Sequence, residues 1–315
     1  MPRRLFEAVP NLSEGRDLAV VEAAVEAALE AGAEVLDWSA DPDHNRSVLT
    51  LLGSPVTLTA ASLALARVAA ERIDLRRHAG VHPRVGALDV LPFVPLVGAT
   101  MEDARALAWS VGEALGRDPG LPVYYYAEAS TPAGRGLDEL RRGGFEALAD
   151  GWPEGREPDV RPEPWPHRGA HPSAGAVCVG ARRLLLAWNV VVKGVGIGAT
   201  RAIARSIRAA NGGFAGVRAL AFELERRGVV QISMNIEDLR ATAPIDVYRA
   251  IERAVAAAGG EMGATEVIGM IPDAALRGAA ADRLRLREVG PARVISARVL
   301  EALGAGDWVA GDSSK

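Results

Sequence analysis

The feature that most restricts the fold of this chain is an order of elements that occurs twice, once on each side of a proline-rich segment. Hydrophobic periodicity gives strand Leu5–Val9, helix Asp17–Ala31, strand Glu34–Trp38, strand Arg46–Leu52, helix Ser54–Asp74 and strand Leu88–Val94. In the first helix Val20, Val21, Ala24, Val25, Ala28 and Leu29 form one stripe, and Gly32 stands where a C-cap belongs. Ser54-Pro55 supplies the N-cap and first residue of the second helix. The other half reads strand Leu184–Val192, helix Ala199–Asn211, strands Val217–Leu224 and Val229–Ile236, helix Pro244–Ala258 and strand Glu266–Ile271. Both runs are β-α-β-β-α-β, the ferredoxin-like order. The expected class is therefore α/β (α+β), built as two ferredoxin-like sandwich subdomains. The repeat is one of topology, without sequence self-similarity.

An α-β piece extends the first half. Thr100-x-x-Asp103 resembles a capping box and opens a helix to about Leu115. Val123–Tyr126 is a strand, and Leu137–Leu148 is helical by pattern. Residues 151–172 hold Pro153, Pro158, Pro162, Pro164, Pro166 and Pro172, and proline fixes φ and removes a donor. This is an extended connector, and Trp152 and Trp165 imply that it packs on something. The expected domains are 1–175, the N-terminal subdomain with its connector, and 176–305, the C-terminal subdomain. Residues 306–315 form a frayed tail.

Composition removes several function classes. The chain has 315 residues, 49% hydrophobic and 24% charged, which excludes a long disordered protein. No apolar run reaches the roughly 18 residues of a membrane span. The basic start lacks an apolar h-region, so no signal peptide is read and the cytoplasm is the expected compartment. Cys178 is the single cysteine, so there is no internal disulfide and no multi-thiolate metal site. The net charge of −4 gives no reason to expect a nucleic-acid partner. Of 36 basic side chains only Lys193 and Lys315 are lysines, a poor supply for Schiff-base chemistry.

Chemistry-bearing residues gather in three places. Residues 76–84 place His78 and His82 among Arg76, Arg77 and Arg84 on a loop with Gly80 and Pro83. A histidine among cations has its charged form disfavoured and serves as a base near neutral pH. His78-x-x-x-His82 is also a metal-ligand spacing, but Gly80 and Pro83 oppose a helix and the arginines repel a cation, so no metal is expected. The bland alternative is a solvated basic loop. Asp41-Pro42-Asp43-His44-Asn45-Arg46 joins two strands, and its alternative is a polar hairpin, since Asp, Asn and Pro form turns. A calcium loop is excluded there by the missing Gly and final Glu. His171 to Arg182 is rich in small residues that allow close backbone approach to a flat ligand, or a packing seam. Gly194, Gly196 and Gly198 precede a helix but do not make the dinucleotide fingerprint.

Six strings carry a resemblance to a known family. They are VPNLSEGR at Val9–Arg16, DPDHNRSV at Asp41–Val48, RHAGVHPRVGALDVLPFVP at Arg77–Pro95 and PVYYYAEA at Pro122–Ala129. HPSAGAVCVGARRLLLAWNV at His171–Val190 and VQISMNIEDLRATAPIDVY at Val230–Tyr248 complete the set. With them the chain resembles glutamate formiminotransferase, the formiminotransferase domain of formiminotransferase-cyclodeaminase, from about Val9 to Pro272. The resemblance implies transfer of a formimino group from N-formimino-L-glutamate to tetrahydrofolate, a co-substrate, in histidine degradation. It also implies a homodimer and His82 as the acid/base. The family's folate segment maps onto the connector and the His171–Gly180 stretch, with His171, Ser173, Ala174, Gly175 and Gly180 as the binding residues implied. The cyclodeaminase domain of the fused enzymes is not expected here, and a separate cyclodeaminase is expected to release the ammonia. From the chemistry, Asp41 (or Asp37 or Asp43) orients the imidazole or favours the cationic amidinium, and Arg84, placed with the catalytic groups, is with Arg46 and Arg77 a candidate partner for the two substrate carboxylates. Asn45, Arg46, Arg77 and His78 bind substrate, the arginines because guanidinium grips carboxylate bidentately. Formyl transfer from formylglutamate or 5-formyltetrahydrofolate, and non-catalytic folate binding, are the alternatives.

Overall fold

The computed structural model describes residues 4–272, 275 and 276. It divides into two compact units, Met1–Arg183 and Leu184–Lys315. The first contains β1 (Phe6–Ala8), β2 (Asn11–Leu12), α1 (Leu18–Glu30), β3 (Glu34–Asp41), β4 (Arg46–Gly53), α2 (Pro55–Arg72) and β5 (Leu88–Pro95). It continues with α3 (Met101–Arg117), β6 (Val123–Ala127), α4 (Leu137–Leu140), α5 (Glu146–Ala149) and β7 (Val177–Ala181). β1 and β2 act as one broken strand, antiparallel to β4 on one side and β5 on the other. β3 pairs with β4 beyond it. That is the ferredoxin-like arrangement, which β7 and then β6 extend by parallel pairing outward from β5.

Alternation along the strands divides the sheet's side chains between two cores. Phe6, Leu12, Leu49, Leu51, Leu91 and Phe93 pack with the buried faces of α1, α2 and α3. Val90, Tyr124, Tyr126 and Cys178 point the other way, under Leu140 of α4, Leu148 of α5 and Ala170. Helix starts follow the chemistry anticipated. The Ser54 side chain accepts from Thr57 N–H, and Thr100 and Asp103 form a reciprocal capping box.

Three expectations change. The boundary at 175/176 moves to 183/184, because Val177–Ala181 forms a central strand of the first sheet, between β5 and β6. The anticipated helix Leu137–Leu148 breaks into α4 and α5, because Gly143 and Gly144 adopt φ values of 77° and 67° that an α-helix cannot contain. The connector is part of the first unit. Val160 bridges to Val123, and Trp152 meets Tyr124 edge-on at 6.2 Å.

The second unit contains β8 (Leu186–Lys193), α6 (Ile197–Ser206), β9 (Val217–Leu224), β10 (Val229–Ile236), α7 (Pro244–Ala257) and β11 (Glu261–Val267). Its antiparallel sheet runs β11-β8-β10-β9, again ferredoxin-like. Ile232, Met234 and Ile236 pack against Ile203 of α6 and Val247, Ile251 and Val255 of α7. The last strand begins at Glu261, five residues before the expected Glu266, with a register shift between Met262 and Thr265 that masks its alternation. Among the described residues no helix is long and apolar enough to cross a membrane. The expected frayed tail, 306–315, lies outside the described residues.

Gly180 lies under the ring of Tyr126, where a Cβ would collide with Cε1. Tyr126 is only 5% exposed and has little room to retreat. Gly180→Ala is expected to destabilise the first unit by about 1–3 kcal/mol, the usual cost of overpacking. Denaturant unfolding measures it, and unchanged stability would mean that the ring moves aside without penalty.

Candidate active site

Three adjacent strands, β4, β2 and β5, converge on one buried carboxylate. Asn11 pairs with Val90 but Leu12 with Leu88, so Asp89 is the extra residue of a β-bulge. Bulges redirect a side chain, and this one sits at a charge cluster. Asp89 is fully buried. Its Oδ1 accepts from Val85 N–H at 2.8 Å and Gly86 N–H at 3.3 Å. Its Oδ2 accepts from Arg46 Nη1 at 3.0 Å and from Arg141 Nη2. Burial pushes the carboxyl pKa upward, but the Arg141 and Arg46 charges and the Val85 N–H outweigh it, so Asp89 stays below the ordinary carboxylate range.

Arg46 also donates from Nε and Nη2 to Asn11 Oδ1, at 3.0 and 2.5 Å. Burial first, then the neighbouring Arg141 charge, lower its pKa to about 10, which leaves it cationic at neutral pH. Its Nη1 lies 3.0 Å from His82 Nδ1, which is also 2.8 Å from the Pro83 carbonyl. A carbonyl can only accept, so the 2.8 Å contact with Pro83 needs the proton on Nδ1. We therefore assign the Nδ1 proton to the bond with Pro83, which leaves Nε2 as the basic nitrogen. Desolvation, reinforced by the Arg46 and Arg141 charges, holds the half-buried His82 well below the usual histidine pKa. The imidazole is neutral at neutral pH.

Glycine lets the Asp41–Arg46 loop close on this cluster. A Cβ at Gly15 would strike Asp41 O and come within 2.6 Å of Arg46 N, and one at Gly80 would strike His44 O. Asn45, between them at φ 49°, accepts from Gly15 N–H at 3.0 Å and donates to Ala79 O at 3.2 Å. Asn45 therefore ties three loops together, and its side chain is committed to backbone.

The other anticipated residues fall as follows. Asp41 Oδ1 accepts from the N–H groups of Asp43 and His44 and lies 3.2 Å from His44 Nδ1. It thus shapes the loop and faces His44, whose ring centre is 6.1 Å from that of His82. The carboxylate linked to His82, through Arg46, is Asp89. His78 donates from Nε2 to Asn45 O at 2.8 Å and accepts from Arg84 Nε at Nδ1 at 2.8 Å, so both ring nitrogens are used within the protein. Arg84 grips Glu146 with both terminal nitrogens, at 3.0 and 2.7 Å. Both His78 and Arg84 are thus engaged within the protein. Arg77 is exposed, 3.8 Å from Asp74.

Within the glycine-rich stretch, His171 Nδ1 accepts from Ser173 and Ala174 N–H, at 3.4 and 3.0 Å. Ser173 O and Ala174 O accept from Leu75 N–H and Ala87 N–H, and Ala176 N–H donates to Val85 O. The stretch is laced to both ends of the His82 loop. Ala174, Gly175 and Gly180 are buried against the chain itself, while His171 and Ser173 are partly exposed. A Cβ at Gly175, where φ is 72°, would strike Val85 O. The small residues at Ala174, Gly175 and Gly180 thus permit close packing of the chain on itself. Sequence reasoning assigned no part to Asn11, Asp89 or Arg141. Asn11 and Asp89 lie inside two of the six strings, but nothing marks Arg141.

The first unit sets a neutral histidine among buried arginines, and comparison with known proteins gives the family. The family profile for the formiminotransferase domain, N-terminal subdomain, matches residues 5–182, and that for the formiminotransferase domain matches 187–288. A glutamate formimidoyltransferase of Streptococcus pyogenes is 35% identical over 87% of this chain and 91% of its own length. One from Thermoplasma acidophilum is 36% identical over 95% and 98%. The formimidoyltransferase-cyclodeaminase of Sus scrofa is 35% identical over 88% of this chain and 52% of its own length. The chain belongs to the formiminotransferase family, and it is a transferase.

The histidines give a stability signature. His78, His82 and His171 are all depressed, chiefly by desolvation. Below the unfolded value of about 6.5, the unfolded chain takes up protons that the native chain refuses. Stability is fully present above that pH and is lost as pH falls toward the lower native values. Unfolding free energy is expected to fall between pH 7.5 and 5.5. His82→Gln should make the slope shallower by up to about 1.4 kcal/mol per pH unit, the limit for one proton. Urea titrations across that range measure both slopes, and equal slopes would mean that His82 is not depressed.

Proposed function

We propose that this protein transfers the formimino group of N-formimino-L-glutamate to N5 of tetrahydrofolate, with His82 as acid/base. The observation that carries the reading is the state of His82, a neutral imidazole fixed through Nδ1 beside a buried Arg46–Asp89–Arg141 cluster. Family membership and the names of the two full-length relatives support the donor. Tetrahydrofolate enters as substrate. The homodimer and a separate cyclodeaminase belong to the same reading.

In this mechanism N5 of the folate attacks the amidine carbon. A new N–C bond forms, and the carbon becomes tetrahedral. N5 must lose a proton, and His82 Nε2 takes it. The bond from that carbon to the glutamate nitrogen then breaks, and the same proton passes to the departing nitrogen. One base can do both because its protonated form lasts only as long as the intermediate. The depressed pKa keeps Nε2 unprotonated at the start and makes the imidazolium a willing donor afterwards. Alignment of the two reactants contributes beside the proton transfers.

His82→Ala is expected to lower kcat by about 10² to 10⁴, the usual worth of a positioned acid/base, with tetrahydrofolate affinity little changed. Turnover with formiminoglutamate and formylglutamate side by side, followed by folate absorbance, tests the whole reading. Near-normal kcat in a folded His82→Ala protein removes the acid/base role, and turnover of the formyl donor alone reverses the donor assignment. Tetrahydrofolate without donor is expected to slow amide exchange in residues 171–176, which are hydrogen-bonded to the His82 loop. Unchanged exchange there, with protection elsewhere, would relocate the folate.

A further inference from the structure

Arg141 follows α4, in the long segment between β6 and β7, and its guanidinium reaches Asp89 beside Arg46. The side chains of Arg46 and Arg141 are 14% and 11% exposed, and that of Asp89 is fully buried. One carboxylate therefore serves two guanidinium groups. The neighbouring Tyr126 and Cys178 do not balance the charge, because burial pushes both pKa values up to about 12 and keeps them protonated. The trio carries one net positive charge in a largely desolvated place. A buried charge without a counter-charge is expensive, and a second carboxylate would supply one. A further sign points the same way. Arg141 Nε is buried and makes no hydrogen bond, so the cluster has more donors than acceptors.

We propose that Arg141, held beside Arg46 and His82 by Asp89, forms a carboxylate-binding subsite, which receives a glutamate carboxylate of a substrate. The inference rests on the formimino-transfer reading, in which both substrates carry glutamate. The carboxylate comes from the donor or from the glutamate tail of the folate, and the chemistry of recognition is the same. Charge-assisted hydrogen bonds to guanidinium are the strong class and suit a planar carboxylate. Arg84, the other largely buried arginine near His82, has its fork on Glu146.

The test is equilibrium binding by calorimetry, which needs no turnover. Wild type, Arg141→Met and Arg141→Lys would each be titrated with N-formimino-L-glutamate, tetrahydrofolate and tetrahydropteroate, which lacks the glutamate tail. Losing one charged hydrogen bond corresponds to roughly 10- to 150-fold weaker binding. Arg141→Met is expected to weaken one of the two glutamate-bearing ligands by that factor, and Arg141→Lys by less. Weakened donor with unchanged folate assigns the donor carboxylate. Weakened tetrahydrofolate with unchanged tetrahydropteroate assigns the tail. The subsite is overturned if neither ligand weakens, if tetrahydropteroate weakens as much as tetrahydrofolate, or if wild type binds neither. Where Arg141→Met melts below the assay temperature, Arg141→Gln replaces it, with the same outcomes. Wild type that binds as expected yet transfers no formimino group would overturn the activity and leave the subsite standing.

Discussion

The carboxylate of Asp89 is the group on which the rest of the site depends. Four hydrogen bonds converge on its two oxygens, two from the backbone at Val85 and Gly86 and two from Arg46 and Arg141. The backbone pair fixes the turn that ends the His82 loop. The arginine pair fixes the charges beside the imidazole. Removing the carboxylate would leave two guanidinium groups buried side by side, and breaking a buried pair costs far more than forming one returns. The neutral state of His82 follows first from its desolvation and then from the same arrangement, since both arginines oppose its protonation. One buried acid thus holds both the loop and the arginines that face the histidine.

The fold was legible in the sequence because its signals are local. Periodic stripes, Ser54-Pro55, and Thr100 with Asp103 mark elements without reference to the rest of the chain. The errors came where long-range pairing decides. Val177–Ala181 reads like the start of a second domain, and only pairing with β5 and β6 assigns it to the first sheet. Gly143-Gly144 was present in the sequence as a helix breaker and was outweighed by the apolar pattern around it.

The candidate site was legible in part, and for a different reason. His82 and Arg46 stand in dense polar stretches that attract notice. Asp89 does not, because it lies in an apolar strand, and the bulge that turns it inward exists only in register with Asn11 and Leu12. His78 and Arg84 look as chemical as His82 on paper. The structure separates them by what their nitrogens already hold, which no spacing rule encodes. Arg141 carries no local mark, since a short acidic-apolar helix followed by two arginines is common.

The segment between β6 and β7 has a bearing on how the cluster comes together. Asn11, Arg46 and Asp89 belong to the first ferredoxin-like unit and can meet once its strands pair. Arg141 comes from the segment of some fifty residues that crosses from β6 to β7, whose closure carries the entropic cost of a long loop. Without that segment Arg46 and Asp89 balance each other. The excess positive charge is supplied by the extension, so the subsite's appetite for anions belongs to the extended sheet and not to its ferredoxin-like part.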